Sequence, residues 1–195
     1  MLACSTSPHP APTPVQEEIA FGPENLGVPR SELRKRVDQA LKDTSLSVLR
    51  DRNPHDLSAG QKSRLAIASI LAMRPTCLIL DEATAMLDPL SRHNVLKLLE
   101  DLHDGGLTMV VITHFMDEVV AADRVLVLDK GRIALRGTPH SIFAQHDLLQ
   151  QLGLGLPPSA AIAQGLRQRG LDLPDGILTE GELVQALEEL MRVKA

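Results

Sequence analysis

Leu57-Ser58-Ala59-Gly60-Gln61, followed by Leu78-Ile79-Leu80-Asp81-Glu82 and then by Ile112-Thr113-His114, decides how this chain is read. A serine and a glycine at a helix start expose a hydroxyl and backbone N–H groups to an anion, and the helix dipole adds a positive end. Small side chains there let a phosphate approach closely. An ordinary serine-capped helix with a glycine in its first turn has the same residues, so the pentapeptide alone is ambiguous. The segment after it carries Leu65, Ile67, Ile70 and Leu71 at helical spacing, and Pro75 blocks its continuation.

Residues 76–80 form a short apolar run between a proline and two acids, which suits a strand buried on both faces. Cys77, inside that run, reads as a small buried hydrophobe. Such a strand delivers Asp81 and Glu82 to its carboxyl end, where open α/β sheets bind ligands. An aspartate there can hold Mg²⁺, directly or through water. The adjacent glutamate can polarise a water for attack on a phosphate. Taken alone, the pair is a weak signal and reads more simply as strand-ending acids that face solvent. Asp88 then Pro89 reads as an N-cap and first-turn proline, Val95, Leu98, Leu99 and Leu102 give the helix an apolar stripe, and Gly105-Gly106 ends it. Residues 108–113 are the next buried strand, with His114 just past it. An imidazole there can donate to a phosphate oxygen, or simply close a strand end.

Outward from this centre, Leu33, Val37 and Leu41 mark a helix opened by Ser31, with Arg34, Lys35 and Arg36 on a solvated face. Residues 115–121 read as a short helix and 124–128 as a third strand. Asp129-Lys130-Gly131 turns the chain into a hairpin with Arg132-Ile133-Ala134-Leu135. After Thr138-Pro139 the pattern is helical only, and Thr179 with Glu182 makes a capping box before Leu183, Val184, Leu187 and Leu190. Alternating strands and helices predict an α/β domain with a largely parallel sheet. The expected division is a proline-rich lead-in over residues 1–14, an α/β domain over 15–140 and a helical extension over 141–195.

Composition narrows the partners. A formal charge of −5 and three Phe with no Trp or Tyr argue against a nucleic-acid surface built on counterion release or base stacking. Cys4 and Cys77 make no disulfide framework or metal-ligand pattern. No apolar run approaches the ~20 residues that span a bilayer. A cytoplasmic chain that reaches a membrane through partners is the expectation.

Together the motifs resemble the nucleotide-binding subunit of an ABC transporter. Residues 57–61 match the family signature LSGGQ with alanine for its first glycine, and residues 77–82 match the Walker B strand and catalytic glutamate. Met86-Leu87-Asp88 matches the D-loop, and Thr113-His114 the switch histidine. The stretches AFGPENLG (20–27), DEATAMLDP (81–89), THFMDEV (113–119) and residues 166–187 are similar to the energy-coupling factor importers, which take up vitamins and cobalt or nickel ions. The resemblance implies ATP and Mg²⁺, with Asp81 toward the metal, Glu82 and His114 catalytic, and Ser58, Ala59, Gly60, Gln61 and Asp88 nucleotide-binding. Its implied partners are a second ABC ATPase subunit, paired head to tail, and transmembrane importer subunits.

A complete family member carries a nucleotide-stacking aromatic, a P-loop and a Q-loop glutamine ahead of the position of Val15. No glycine here is followed by lysine, so these residues hold no G-x-x-x-x-G-K-[ST] stretch. Charged hydrogen bonds are worth about 1.5–3 kcal/mol each, so losing several removes useful ATP affinity from the isolated chain. The expected fold is thus a P-loop NTPase core truncated at its N-terminal side, lacking the strand that the family places between those preceding His114 and at 124–128. One expected function is an ATP-hydrolysing importer subunit whose signature serves a partner's ATP. The alternatives are a non-catalytic interaction or regulatory fragment, or the product of a disrupted gene. A DNA-maintenance ATPase is disfavoured by the acidic, compact chain.

Overall fold

The computed structural model describes residues 13–193, so most of the lead-in expected over residues 1–14 lies outside the described residues. Two compact units divide between Ile112 and Thr113.

In the first unit, helices α1 (Val15–Asn25), α2 (Arg30–Asp43) and α3 (Ala59–Leu71) precede strand β1 (Cys77–Asp81), helix α4 (Pro89–Asp104) and strand β2 (Thr108–Ile112). Val15 and Ile19 of α1, Leu33, Val37 and Leu41 of α2, and Leu65 and Ala68 of α3 make one core. Ile67 of α3 faces a second core with Leu78 and Leu80 of β1 and Val95, Leu98 and Leu99 of α4. Each such buried aliphatic side chain contributes about 1.5–3 kcal/mol, so α3 is clamped from two sides. That clamp sets where its first turn points.

Helix α1 has no counterpart among the sequence-based expectations. Pro23 lies within the helix and is buried. Gly22 is small because a Cβ there would come within 2.9 Å of the Met73 sulfur.

Strands β1 and β2 run parallel in the register Ile79↔Val110 and Asp81↔Ile112. The expectation of burial on both faces is corrected. Helix residues cover Leu78 and Leu80, but Ile79 is 65% exposed, and Val110, Val111 and Ile112 are also exposed. Cys77 shares the open face and is exposed, not a buried hydrophobe. An apolar run shows that a strand can be buried on both faces, while the covering helices here occupy only one.

The second unit begins with α5 (Met116–Val119), strands β3 (Val125–Asp129) and β4 (Arg132–Gly137), and then α6 (Pro139–Phe143), α7 (His146–Gln151), α8 (Pro158–Gln168) and α9 (Glu180–Val193). The β3–β4 pair is antiparallel and forms its own two-stranded sheet, so β3 does not join a parallel sheet with β1 and β2. Lys130 and Gly131 both take positive φ (47° and 75°), which matches the turn to the right-handed twist of the two strands. Val125 and Val127 share a core with Ile142, Phe143, Leu149 and Leu178, so the division expected after residue 140 runs through this core. Ala163, Leu173, Ile177, Leu183 and Ala186 make a smaller core under α8 and α9. Val184, expected on that apolar face, is exposed. Among the described residues, no helix is long and apolar enough to cross a membrane.

Candidate functional site

The first turn of α3 is built around Ser58. Leu57 is buried in the three-helix core and anchors the entry. Ser58 adopts extended backbone, its hydroxyl oxygen accepts the Gln61 N–H at 3.3 Å, and Gln61 Oε1 accepts the Ser58 N–H at 2.9 Å. This is a reciprocal capping box. It commits the Gln61 amide oxygen and leaves the Ser58 hydroxyl hydrogen for donation outward. Ser58 and Ala59 are exposed, and no acidic residue occupies the first turn, so the positive end of the 13-residue helix is not neutralised locally. Ser-x-x-Gln was the sequence signal for this box.

Gly60 is buried within this chain. A Cβ at this position would lie 2.6 Å from the Ser91 Oγ and 2.7 Å from the Ser91 Cβ. Asp88 caps α4 by accepting the Ser91 N–H at 3.0 Å. The Ser91 hydroxyl first, and its backbone N–H second, hold the Asp88 carboxyl below the usual aspartate value. Ser91, which motif reasoning missed, therefore touches the surroundings of both motifs.

Asp81 ends β1 opposite Ile112, and both acids of the pair are exposed. The Glu82 N–H donates to the Ile112 carbonyl at 2.9 Å, which extends the ladder by one bond. Glu82 then takes a φ of 46°, a left-handed conformation that costs a non-glycine residue about 1–3 kcal/mol. The turn that follows closes with Ala85 N–H to Glu82 O at 3.1 Å and Leu87 N–H to Thr84 O at 3.1 Å, with Thr84 buried. These bonds hold the strained residue in place. For a divalent cation, Asp81 offers one hard oxygen donor. No cluster of three or more His, Cys, Asp or Glu side chains able to hold a metal occurs among the described residues. The donor set fits a cation whose other ligands arrive with a phosphate substrate.

His114 belongs to the second unit. It is exposed, its ring lies 4.2 Å from that of Phe115, and the Phe115 N–H is held by the Thr113 hydroxyl at 3.1 Å. The structure thus brings Ser58, Ala59, Gly60, Gln61, Asp81, Glu82 and Asp88 into the first unit, and His114 stands in the other.

The family described as ABC transporter matches residues 4–85. The energy-coupling factor transporter ATP-binding protein EcfA1 of Symbiobacterium thermophilum is 54% identical over 177 residues, covering 90% of this chain and 62% of that protein. The EcfA1 of Caldanaerobacter subterraneus is 49% identical over 172 residues, covering 88% of this chain and 62% of its own length. The chain therefore spans less than two thirds of the relatives it matches. Among solved structures, cbiO1 from Clostridium perfringens, described as part of the ABC transporter complex cbiONQ, is 41% identical with a TM-score of 0.64, over 72% of this chain and 57% of that one. A putative metal-chelate type ABC transporter in an inward-facing conformation also gives a TM-score of 0.64 at 30% identity, over 75% of this chain and 59% of that one. The capped, acid-free start of α3 and the acids ending β1 thus lie in a chain homologous, over about 90% of its length, to ATP-binding proteins of the energy-coupling factor transporters, with residues 4–85 matching the ABC transporter family.

Proposed function

We propose that these residues belong to the energy-coupling ATPase subunit of an ABC-type importer, on the cytoplasmic side of a membrane and held there by transmembrane partners. The observation that carries this is the α3 start, where an exposed Ser58 caps a helix whose first turn holds no acid. That end suits a triphosphate bound by a second ATPase subunit. Ser58 donates to it, Ala59 leaves room for it, and Gly60 and Gln61 hold the turn in shape.

Asp81 and Glu82 serve this subunit's own ATP. Asp81 would supply an oxygen to Mg²⁺, which when bound with the nucleotide would offset charge on the phosphate oxygens. Glu82, held in its left-handed turn, takes the proton of the attacking water as the bond to the leaving ADP oxygen breaks. His114 takes the γ-phosphate-sensing position that the family motif gives it, and Asp88 the partner-facing D-loop position. Residues 1–195 contain no G-x-x-x-x-G-K-[ST] stretch, so the phosphate grip on either ATP comes from residues outside them. The solute, a vitamin or a transition-metal ion, is chosen by a separate membrane subunit.

The test is phosphate release by this chain mixed with an ATPase subunit that carries a P-loop. The mixture should hydrolyse ATP faster than the partner alone, and Ser58→Arg should abolish the increment. An increment that survives Ser58→Arg sinks the signature role. Glu82→Gln in a P-loop-complete version should cut hydrolysis by about 10²–10⁴-fold, as loss of a general base does.

A further inference from the structure

Two helix starts in the first unit meet through one side chain. Ser91 lies in the first turn of α4, where its backbone N–H caps onto Asp88 at 3.0 Å. Its Cβ and Oγ fill the space that any side chain at Gly60 would need, at 2.7 and 2.6 Å from an ideal Cβ. Gly60 has an ordinary helical backbone, so its glycine is not required by a positive φ. Two explanations of that glycine remain. Either a phosphate must come close to the backbone, or Ser91 must.

We propose that Ser91 is a positioning residue that locks the signature turn at Gly60 to the α4 cap at Asp88. Gly60 is buried and Ser91 half-buried with no room left for a side chain between them, so the two turns move as one body. A displacement of Asp88 by a partner subunit is then passed through Ser91 to the first turn of α3, and so to Ser58. The Ser91 N–H donated to the Asp88 carboxylate at 3.0 Å ties the same link from its other end. The catalytic consequence rests on the function proposed above, whereas the packing claim does not.

A double-mutant cycle tests both. Gly60→Ala forces the Ser91 Cβ aside, and overpacking of this kind should lower the Tm by about 3–10 °C. A shift of the α3 start on this scale should reduce kcat for partner-dependent phosphate release roughly tenfold, with KM for ATP little changed, because geometry is lost while the phosphate grip sits elsewhere. Ser91→Gly removes the Cβ and Oγ, keeps the N–H to Asp88, and leaves only its Cα at 3.5 Å from the ideal Gly60 Cβ, an ordinary contact. In that background Gly60→Ala should cost nothing further in Tm or kcat. If Gly60→Ala alone fails to fold and the double variant folds, the packing claim is upheld by that result. Equal losses in both backgrounds, or a double variant that also fails to fold, overturn the proposal and return Gly60 to the phosphate. If unsubstituted protein gives no partner-dependent hydrolysis, the proposed function falls while the Tm cycle still decides the role of Ser91.

Discussion

Helices α3 and α9 start with the same device and end with opposite electrostatics. Ser58 with Gln61 and Thr179 with Glu182 are both reciprocal boxes, in which a hydroxyl accepts one N–H and the side chain three residues on accepts another. At α9 the closing group is a carboxylate, with Glu180 beside it, and Glu182 also accepts the Leu178 N–H. At α3 the closing group is an amide, and the first turn holds no acid. The α9 dipole is neutralised within the chain, and the α3 dipole is left for something else. A capping box by itself is therefore structural; the charge of its closing residue separates a sealed helix start from one open to an anion.

The comparison breaks most visibly if the two are interchanged. Gln61→Glu keeps an oxygen to accept the Ser58 N–H, and so keeps the box. It also places a negative charge within reach of a bound phosphate, where like charges cost roughly 3 kcal/mol at an effective dielectric near 20. Partner-dependent phosphate release should fall by roughly a hundredfold, while the Tm holds or rises slightly because the dipole is now satisfied. A variant that loses stability and activity together would mean that Gln61 does something other than close the cap.

A smaller effect separates the two hydroxyls. Ser58→Ala and Thr179→Ala should each cost about 1 kcal/mol in denaturant unfolding, as loss of an N-cap does. Only Ser58→Ala should also slow phosphate release. Equal slowing by Thr179→Ala would place the effect in general stability.

Much of this was legible in the chain. Asp88-Pro89, Thr138-Pro139 and Thr179 with Glu182 each announce a helix start through local chemistry, and each cap is formed. The apolar stripes of α2, α3 and α4 are buried where their period says, with Val37, Leu65 and Val95 in cores. What stayed illegible depends on distant neighbours. Helix α1 went without a sequence signal, and the Met73 side chain that packs against its Gly22 is far away in the chain. The run before Asp81 tells that a strand is apolar, but not that one of its faces, with Ile79, stays open. The left-handed backbone at Glu82 is invisible in an acidic residue, since only glycine or asparagine signals it. The close approach of Gly60 and Ser91 joins two motifs that lie far apart in the sequence.

The finest distinction between the boxes is their response to acid. The Leu178 N–H first, and the Thr179 N–H second, hold the Glu182 carboxyl below its ordinary value, and the His140 imidazole 3.8 Å away adds to this. A carboxyl whose folded pKa is depressed stabilises the fold fully above its unfolded value, about 4.3. That contribution is lost as pH falls through the lower, folded value. The Glu182 side chain is 42% exposed, so solvent screening keeps the effect near the low end of about 0.3–1 kcal/mol. Thermal unfolding of the second unit, followed from pH 7 to pH 3, should therefore show the parent protein losing its advantage over Glu182→Gln below roughly pH 4.3. The α3 box has no titrating member, so Gln61→Glu should confer on the first unit an acid-sensitive increment that the parent lacks. A constant gap between parent and Glu182→Gln across this range would show that the carboxylate charge does not seal α9, and the contrast between the two helix starts would reduce to hydrogen-bond geometry alone.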